Sequence, residues 1–306
     1  MKSKIIQCIV YIALSVVIMY VAFQSIRKQH GREPDLIKPV AQAVFTSPSP
    51  TQPPKSALKN VVDHLLEGDS DSYGVVVKNL KTGESYYNNE QKSFEPASLY
   101  KLWIMVAAFH QIEAGELQED DVLSQDATTL NNQFNITSEA AELSDGTIIL
   151  SVKDALEQMI TISDNYAALL LSEQVQLSNV DAFLREHDFT KSSLGEPPQT
   201  TAFDVALFFE KLYRGALANP EDTQKMIALL KRQTLNNKLP KYLSNNVPIA
   251  HKTGELDLFT HDAGIVFSKQ GDYIIVVLSE TNSPADAEER IAVISKAVYD
   301  YFGKSS

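Results

Sequence analysis

Apolar positions in this chain fall into short strand-like runs at the two ends of its body and into helical spacing between them. "YGVVVKNL" (73–80) and "ESYYNN" (84–89) flank the turn "KTG" (81–83), the pattern of a β-hairpin. "VPIAHKTG" (247–254), "HDAGIVFS" (261–268) and "YIIVVLSE" (273–280) read as three further strands, the last two joined by the tight turn "KQGD" (269–272). "SALKNVVDHLLEG" (56–68) has helical apolar spacing and stops at a glycine. "EPASLYKLWIMVAAFH" (95–110) is almost wholly apolar from Leu99 onward, as a helix entering a core must be. From about 115 to 240 the spacing is helical and interrupted, and no strand is predicted there. A last helix begins with Ser283 as cap, Pro284 at the first helical position and Asp286 in the first turn. Its Ile291, Ile294, Val298 and Tyr301 or Phe302 share one face.

Strands at both ends with helices between predict an α/β protein of the α+β type. An antiparallel sheet is built from the two ends of the domain and flanked by the terminal helices, with an all-α lobe inserted in the middle. A cleft between lobe and sheet is where a ligand would lie.

The first 56 residues follow a different rule. Residues 5–24, "IIQCIVYIALSVVIMYVAFQ", contain no charge and are long enough to span a bilayer core. Residues 33–56 hold six prolines and read as a semi-extended spacer. The expected organisation is a cytoplasmic tip and anchor over 1–28, a proline-rich linker over 29–56 and a folded domain over 57–306. A cleaved signal peptide would have a shorter apolar core, so a retained single-pass anchor with the domain outside the cytoplasm is expected; secretion after cleavage is the alternative.

Charge narrows the partners. The chain carries a net −12. Residues 1–56 nevertheless hold seven basic side chains (Lys2, Lys4, Arg27, Lys28, Arg32, Lys38, Lys55) against Glu33 and Asp35. The body is therefore more acidic than the whole, which argues against nucleic acid as a partner. The lone cysteine, Cys8, lies in the apolar run, so the body forms no internal disulfide. The six histidines are scattered singly without metal-ligand spacing, and neither metal nor cofactor is expected.

Three short motifs bear chemistry. Ser98 and Lys101 are three residues apart, hence neighbours on one side of a helix. A serine hydroxyl needs a base to become a nucleophile, and a lysine serves once burial and a second cation lower its pKa. Alone, the pair is equally a capping serine beside a lysine that snorkels to water. Ser163-Asp164-Asn165 sits between two helical runs and alone is an ordinary helix start. Lys252-Thr253-Gly254 closes an apolar strand; the same three letters at Lys81-Thr82-Gly83 serve a hairpin turn, so the triplet alone says little.

Together and in this order the three motifs form a specific set. With the wording around them, "FEPASLYKL", "GTIILSVKDALEQMITISDNYAALLL", "AHKTGELD" and "HDAGIV", residues 57–303 resemble the class A β-lactamases and their D,D-peptidase relatives, the penicillin-recognising serine hydrolases. The resemblance implies a β-lactamase/transpeptidase-like fold and acyl transfer at serine. It makes Ser98 the nucleophile, Lys101 the general base or part of its proton network, and Ser163 the relay to the leaving nitrogen. Asn165 would hold a substrate amide, Lys252 and Thr253 a substrate carboxylate on the strand that Gly254 ends. The backbone N–H groups of Ser98 and Glu255 would form the oxyanion hole.

The sequence departs from that family twice. In "SLGEPPQTTAFDVA", Glu196 stands only four residues before Thr200, so most of the family's Ω-loop is expected to be missing, and Glu196 is a candidate deacylation base only if it reaches the site. No arginine lies between Lys252 and Glu280 to pair a substrate carboxylate, leaving His261 as a weak substitute. The expectation is a monomeric acyl-serine enzyme acting on β-lactams or on D-Ala-D-Ala-type peptidoglycan stem peptides, with slow deacylation. An efficient β-lactamase using Glu196 and a non-catalytic peptidoglycan-binding domain remain as alternatives.

Overall fold

The computed structural model describes residues 57–304. The apolar run at 5–24 and the linker at 29–56 lie outside the described residues. Among the described residues no helix is long and apolar enough to cross a membrane.

The domain opens with helix α1 (Ala57–Leu66) and the hairpin β1 (Tyr73–Asn79) and β2 (Ser85–Asn88). Asn79 makes the turn. Its side-chain oxygen accepts from the N–H groups of Lys81 and Thr82, and its backbone C=O accepts from Gly83, which takes a left-handed φ. Strands β5 (Ile249–Leu256), β6 (Phe259–Val266) and β7 (Tyr273–Ser279) complete a five-stranded sheet of order β2-β1-β7-β6-β5, antiparallel throughout. The closing helix α9 (Pro284–Lys304) returns across it.

Strand β7 explains its own composition. A strand covered on both faces reads as a continuous apolar run, and every residue of "YIIVVLS" is buried. Tyr273, Ile275 and Val277 face a core shared with Leu58 and Val62 of α1 and Ile291, Ile294 and Val298 of α9. Ile274, Val276 and Leu278 face the larger core of the helical lobe.

At the centre of that lobe lies α2 (Lys101–Ala114), buried from Lys101 to Phe109 and ended by Gly115 in the left-handed conformation. Around it stand α4 (Val152–Thr161), α5 (Asn165–Val175), α6 (Leu177–Glu186), α7 (Ala202–Tyr213) and α8 (Pro220–Lys231). The lobe is not all-α. A two-stranded antiparallel ribbon, β3 (Val122–Asp126) with β4 (Thr147–Ser151), brackets the short helix α3 (Ala127–Gln133). It escaped the pattern reading because exposed Val122 and Ile149 stand next to the core-facing Leu123, Ile148 and Leu150, which hides the alternation of a half-buried strand.

Tight sheet packing sets one test. A Cβ on Gly264 of β6 would lie 2.3 Å from the backbone oxygen of Ala250 and 2.6 Å from His251 Cβ on β5. Backbone has no room to yield there, so Gly264→Ala is expected to cost ~3 kcal/mol of unfolding free energy, read from urea denaturation.

Candidate active site

The site begins where the chain leaves the sheet. Phe94 exchanges two backbone hydrogen bonds with Thr200, 2.9 and 2.8 Å long. His261 of β6, wholly buried, accepts at Nδ1 from the N–H of Ser279 (3.1 Å), so Nε2 carries the proton and donates to the C=O of Glu95 (2.8 Å). Burial lowers its pKa to about 4, keeping the ring neutral. Both nitrogens are committed, so His261 fastens the approach to Ser98 and is not a substitute for the missing arginine. Ala97 then takes a left-handed φ of 45°, a strained conformation for a residue with a Cβ. A single 3₁₀ turn, Ala97–Tyr100, runs directly into α2. Ser98 is half-buried at this junction, one turn before Lys101.

The Lys101 side chain is buried but not unpartnered. Its Nζ donates to the C=O of Ser163 (2.6 Å), approaches Ser163 Oγ (3.3 Å) and donates to Asn165 Oδ1 (2.7 Å). The turn between α4 and α5 presents these acceptors because Ser163 adopts φ 60°. Asp164 caps α5 through the N–H of Ala167 (2.7 Å). From the other wall, Lys252 Nζ reaches across to Ser163 Oγ (2.8 Å) and also donates to the C=O of Thr253 (2.9 Å). One hydroxyl thus lies between two lysine amines, one from the helical lobe and one from β5.

Charge follows burial. Desolvation pulls the Lys101 amine down to about 8, against the opposing pull of the Asp164 and Glu142 carboxylates. Lys252 falls well below the usual lysine value, first through burial and then through the Lys101 charge, with Asp262 opposing. With a pKa near 8, about a tenth of the Lys101 population is neutral at pH 7.

Gly254 lets β5 close on Ser98. A Cβ there would stand 3.0 Å from the Pro96 oxygen and 3.3 Å from Ala97 Cβ. Thr253 is buried beside it, while Glu255 is exposed at the strand's end. Ser98, Lys101, Ser163, Asn165, Lys252, Thr253, Gly254 and Glu255 therefore converge on one cleft.

Glu196 does not join this network. The segment from Lys191 to Thr200 closes on itself. Ser193 and Gln199 exchange backbone hydrogen bonds, and buried Asp204 accepts from the Lys191 N–H (2.8 Å) and the Ser192 hydroxyl (2.9 Å). Glu196 is exposed at its tip, without a side-chain hydrogen bond to any of the described residues. Two residues missed in the sequence do border the cleft. Glu142 accepts from Asn165 Nδ2 (2.6 Å) and helps line a cavity of about 140 Å³ with Tyr100 and Leu169. Lys238, fully buried, pairs with Glu255.

A family model described as the beta-lactamase enzyme family matches residues 53–302. The chain belongs to that family. This beta-lactamase-family serine hydrolase superposes on PBP-A with a TM-score of 0.72 at 23% identity, covering 83% of this chain and 99% of that one. The beta-lactamase from Sphaerobacter thermophilus DSM 20745 gives 0.70 at 23% identity, with 82% and 98% covered. An acyl-enzyme complex of a PBP-A mutant with penicillin G gives 0.71 at 22%, with 83% and 100% covered. Likeness at these identities concerns the fold. No curated protein matches the chain.

The perturbed lysine is directly measurable. In a 13C-detected titration, the Lys101 Cε resonance, assigned by its loss in Lys101→Arg, is expected to move with a midpoint near pH 8. Surface lysines titrate about two units higher. A Lys101 midpoint above 10 would contradict the burial argument.

Proposed function

We propose that this chain is an acyl-serine hydrolase that opens β-lactams, or D-Ala-D-Ala-type peptidoglycan peptides, at Ser98 and releases the acyl group slowly. The observation that carries the reading is the pair of lysine amines sharing Ser163 Oγ, one of them Lys101, a single helical turn from Ser98. Neutral Lys101 takes the Ser98 proton, and Oγ attacks the substrate carbonyl. The backbone N–H groups of Ser98 and Glu255 receive the developing oxyanion, each such donor typically contributing ~2.7–4 kcal/mol. Ser163 accepts N–H donors from both lysines, so its own proton is free for the leaving nitrogen, and protonated Lys101 restores it. Asn165 offers its amide to the substrate side chain. Lys252 and Thr253 draw in the leaving group's carboxylate.

Slow release rests on the same geometry. Hydrolysing the acyl-enzyme needs a base holding a water against the ester, and Glu196 stands exposed at the tip of a closed hairpin. We further assign the domain to the outer side of the cytoplasmic membrane, tethered by residues 5–24. The uncharged length of that run supports this assignment. Protease treatment of intact cells is expected to remove the domain, and its full protection would refute the placement.

Intact-mass spectrometry of the chain mixed with benzylpenicillin tests the chemistry. A persistent adduct equal to the whole penicillin is expected on the wild type and none on Ser98→Ala. Equal labelling of both would sink the assignment of Ser98, and a fleeting adduct with accumulating ring-opened product would sink slow release. Gly254→Ala, by pushing β5 off the Ser98 turn, is expected to slow labelling about tenfold with the fold retained, since small misplacements of reacting groups are costly.

A further inference from the structure

A buried cation that the three motifs do not include stands against the end of β5. Lys238 lies in the segment between α8 and β5, and its side chain is 0% exposed. The backbone around it is firmly held. The N–H of Leu239 donates to Asp262 Oδ2 (3.0 Å) on β6, and the C=O of Leu239 accepts from the buried Ser295 hydroxyl (2.8 Å) on α9. A buried ammonium requires a countercharge. Glu255 supplies it, with Glu288 of α9 farther away at 3.9 Å.

The two members of this pair are unlike. Lys238 is enclosed, whereas the Glu255 side chain is 53% exposed. An exposed glutamate changes rotamer readily and can leave a partner that cannot follow it. Glu255 also shares a strand face with Thr253, two residues earlier, at the end of β5 nearest Pro96 and Ala97. Lys238 is close enough for its charge to act on Lys252 and His261.

Resting on the reading of the site as an acyl-serine centre, we propose that Lys238 is a second cation for the substrate's carboxylate, beyond Lys252 and Thr253, and that Glu255 is a built-in carboxylate occupying it until substrate arrives. β-Lactams and D-Ala-D-Ala peptides carry a free carboxylate on the leaving side of the scissile amide. A substrate lying along β5 with its carbonyl at Ser98 brings that carboxylate past Thr253 to the Lys238–Glu255 pair. The two carboxylates compete for one ammonium. Glu255 therefore sets specificity, because it repels an anionic leaving group that cannot displace it and leaves an uncharged one unaffected by the exchange. If the Lys238 site is open for about a tenth of the time, anion binding is weakened about tenfold.

The test uses the full chain, benzylpenicillin and benzylpenicillin methyl ester, which differ only in that carboxylate. The second-order rate of Ser98 labelling by each is measured by mass spectrometry, and the acid-to-ester ratio is the readout. Glu255→Gln keeps the size of the side chain and removes its charge, so the ratio is expected to rise about tenfold. Lys238→Met is expected to lower the ratio, and adding Glu255→Gln to it to give no further rise. An unchanged ratio in Glu255→Gln, with Ser98 still labelled by both compounds, overturns this inference and leaves the acyl-serine reading standing. A ratio that rises equally with and without Lys238 overturns the assignment of that lysine. Absence of label from both compounds in every variant overturns the acyl-serine reading and this inference together.

Discussion

Burying a lysine and giving its ammonium only neutral acceptors is the constraint on which the site depends. Lys101 Nζ meets one backbone carbonyl, one amide oxygen and one hydroxyl. None of them carries the full negative charge that would fix its proton, while desolvation favours losing it. The fold bears a cost for this, because an unpaired buried cation opposes folding. The helical lobe supplies the burial. α2 is encased from Lys101 to Phe109 and cannot offer the amine a path to water.

The rest of the arrangement brings partners to that amine from separate parts of the chain. Ser163 is aimed by a left-handed backbone at the start of α5, and Ser98 follows a second left-handed residue, Ala97. Each such position costs about 1–3 kcal/mol and persists only where its surroundings over-determine it. Here the surroundings are visible. His261 holds the Glu95 carbonyl, Thr200 holds Phe94, and Gly254 allows β5 within contact distance of Pro96. The sheet thus locates Ser98, and the lobe supplies the buried amine of Lys101 one turn away.

Much of this was legible in the order of residues. The apolar run of β7 and the helical spacing of α1 and α9 declare a sheet covered on both faces, and the three motifs that name the site are local in sequence. What was not legible depends on distance along the chain or on backbone conformation. The β3–β4 ribbon turns Leu123, Ile148 and Leu150 to the core but leaves their apolar neighbours Val122 and Ile149 exposed, so its sequence does not alternate. Lys238 and Glu255 are ordinary charged residues until folding encloses one and leaves the other at the rim. Glu142 becomes part of the site only through Asn165, and His261 is a fastener because two distant backbone groups meet its ring. Ala97 and Ser163 give no sign in sequence that they adopt positive φ, since neither is a residue type enriched there.

The hairpin from Lys191 to Thr200 is secured short of its tip, as far as Leu194, whose N–H donates to Asp181 Oδ1 (3.4 Å). Asp204, Thr201 and the Phe94–Thr200 pairing fix where the segment leaves and rejoins the body, and none of these contacts involves Gly195, Glu196 or Pro197 at the tip. Chain inserted there would leave every anchoring bond in place, and doubling a flexible loop costs only ~0.6 kcal/mol in closure entropy. On the proposed reading, the architecture therefore separates the half of the reaction built into rigid elements from the half a tip could acquire. On such a scaffold, a transition between an enzyme that keeps its acyl group and one that releases it can arise by insertion alone, with Ser98, Lys101 and the core left as they are.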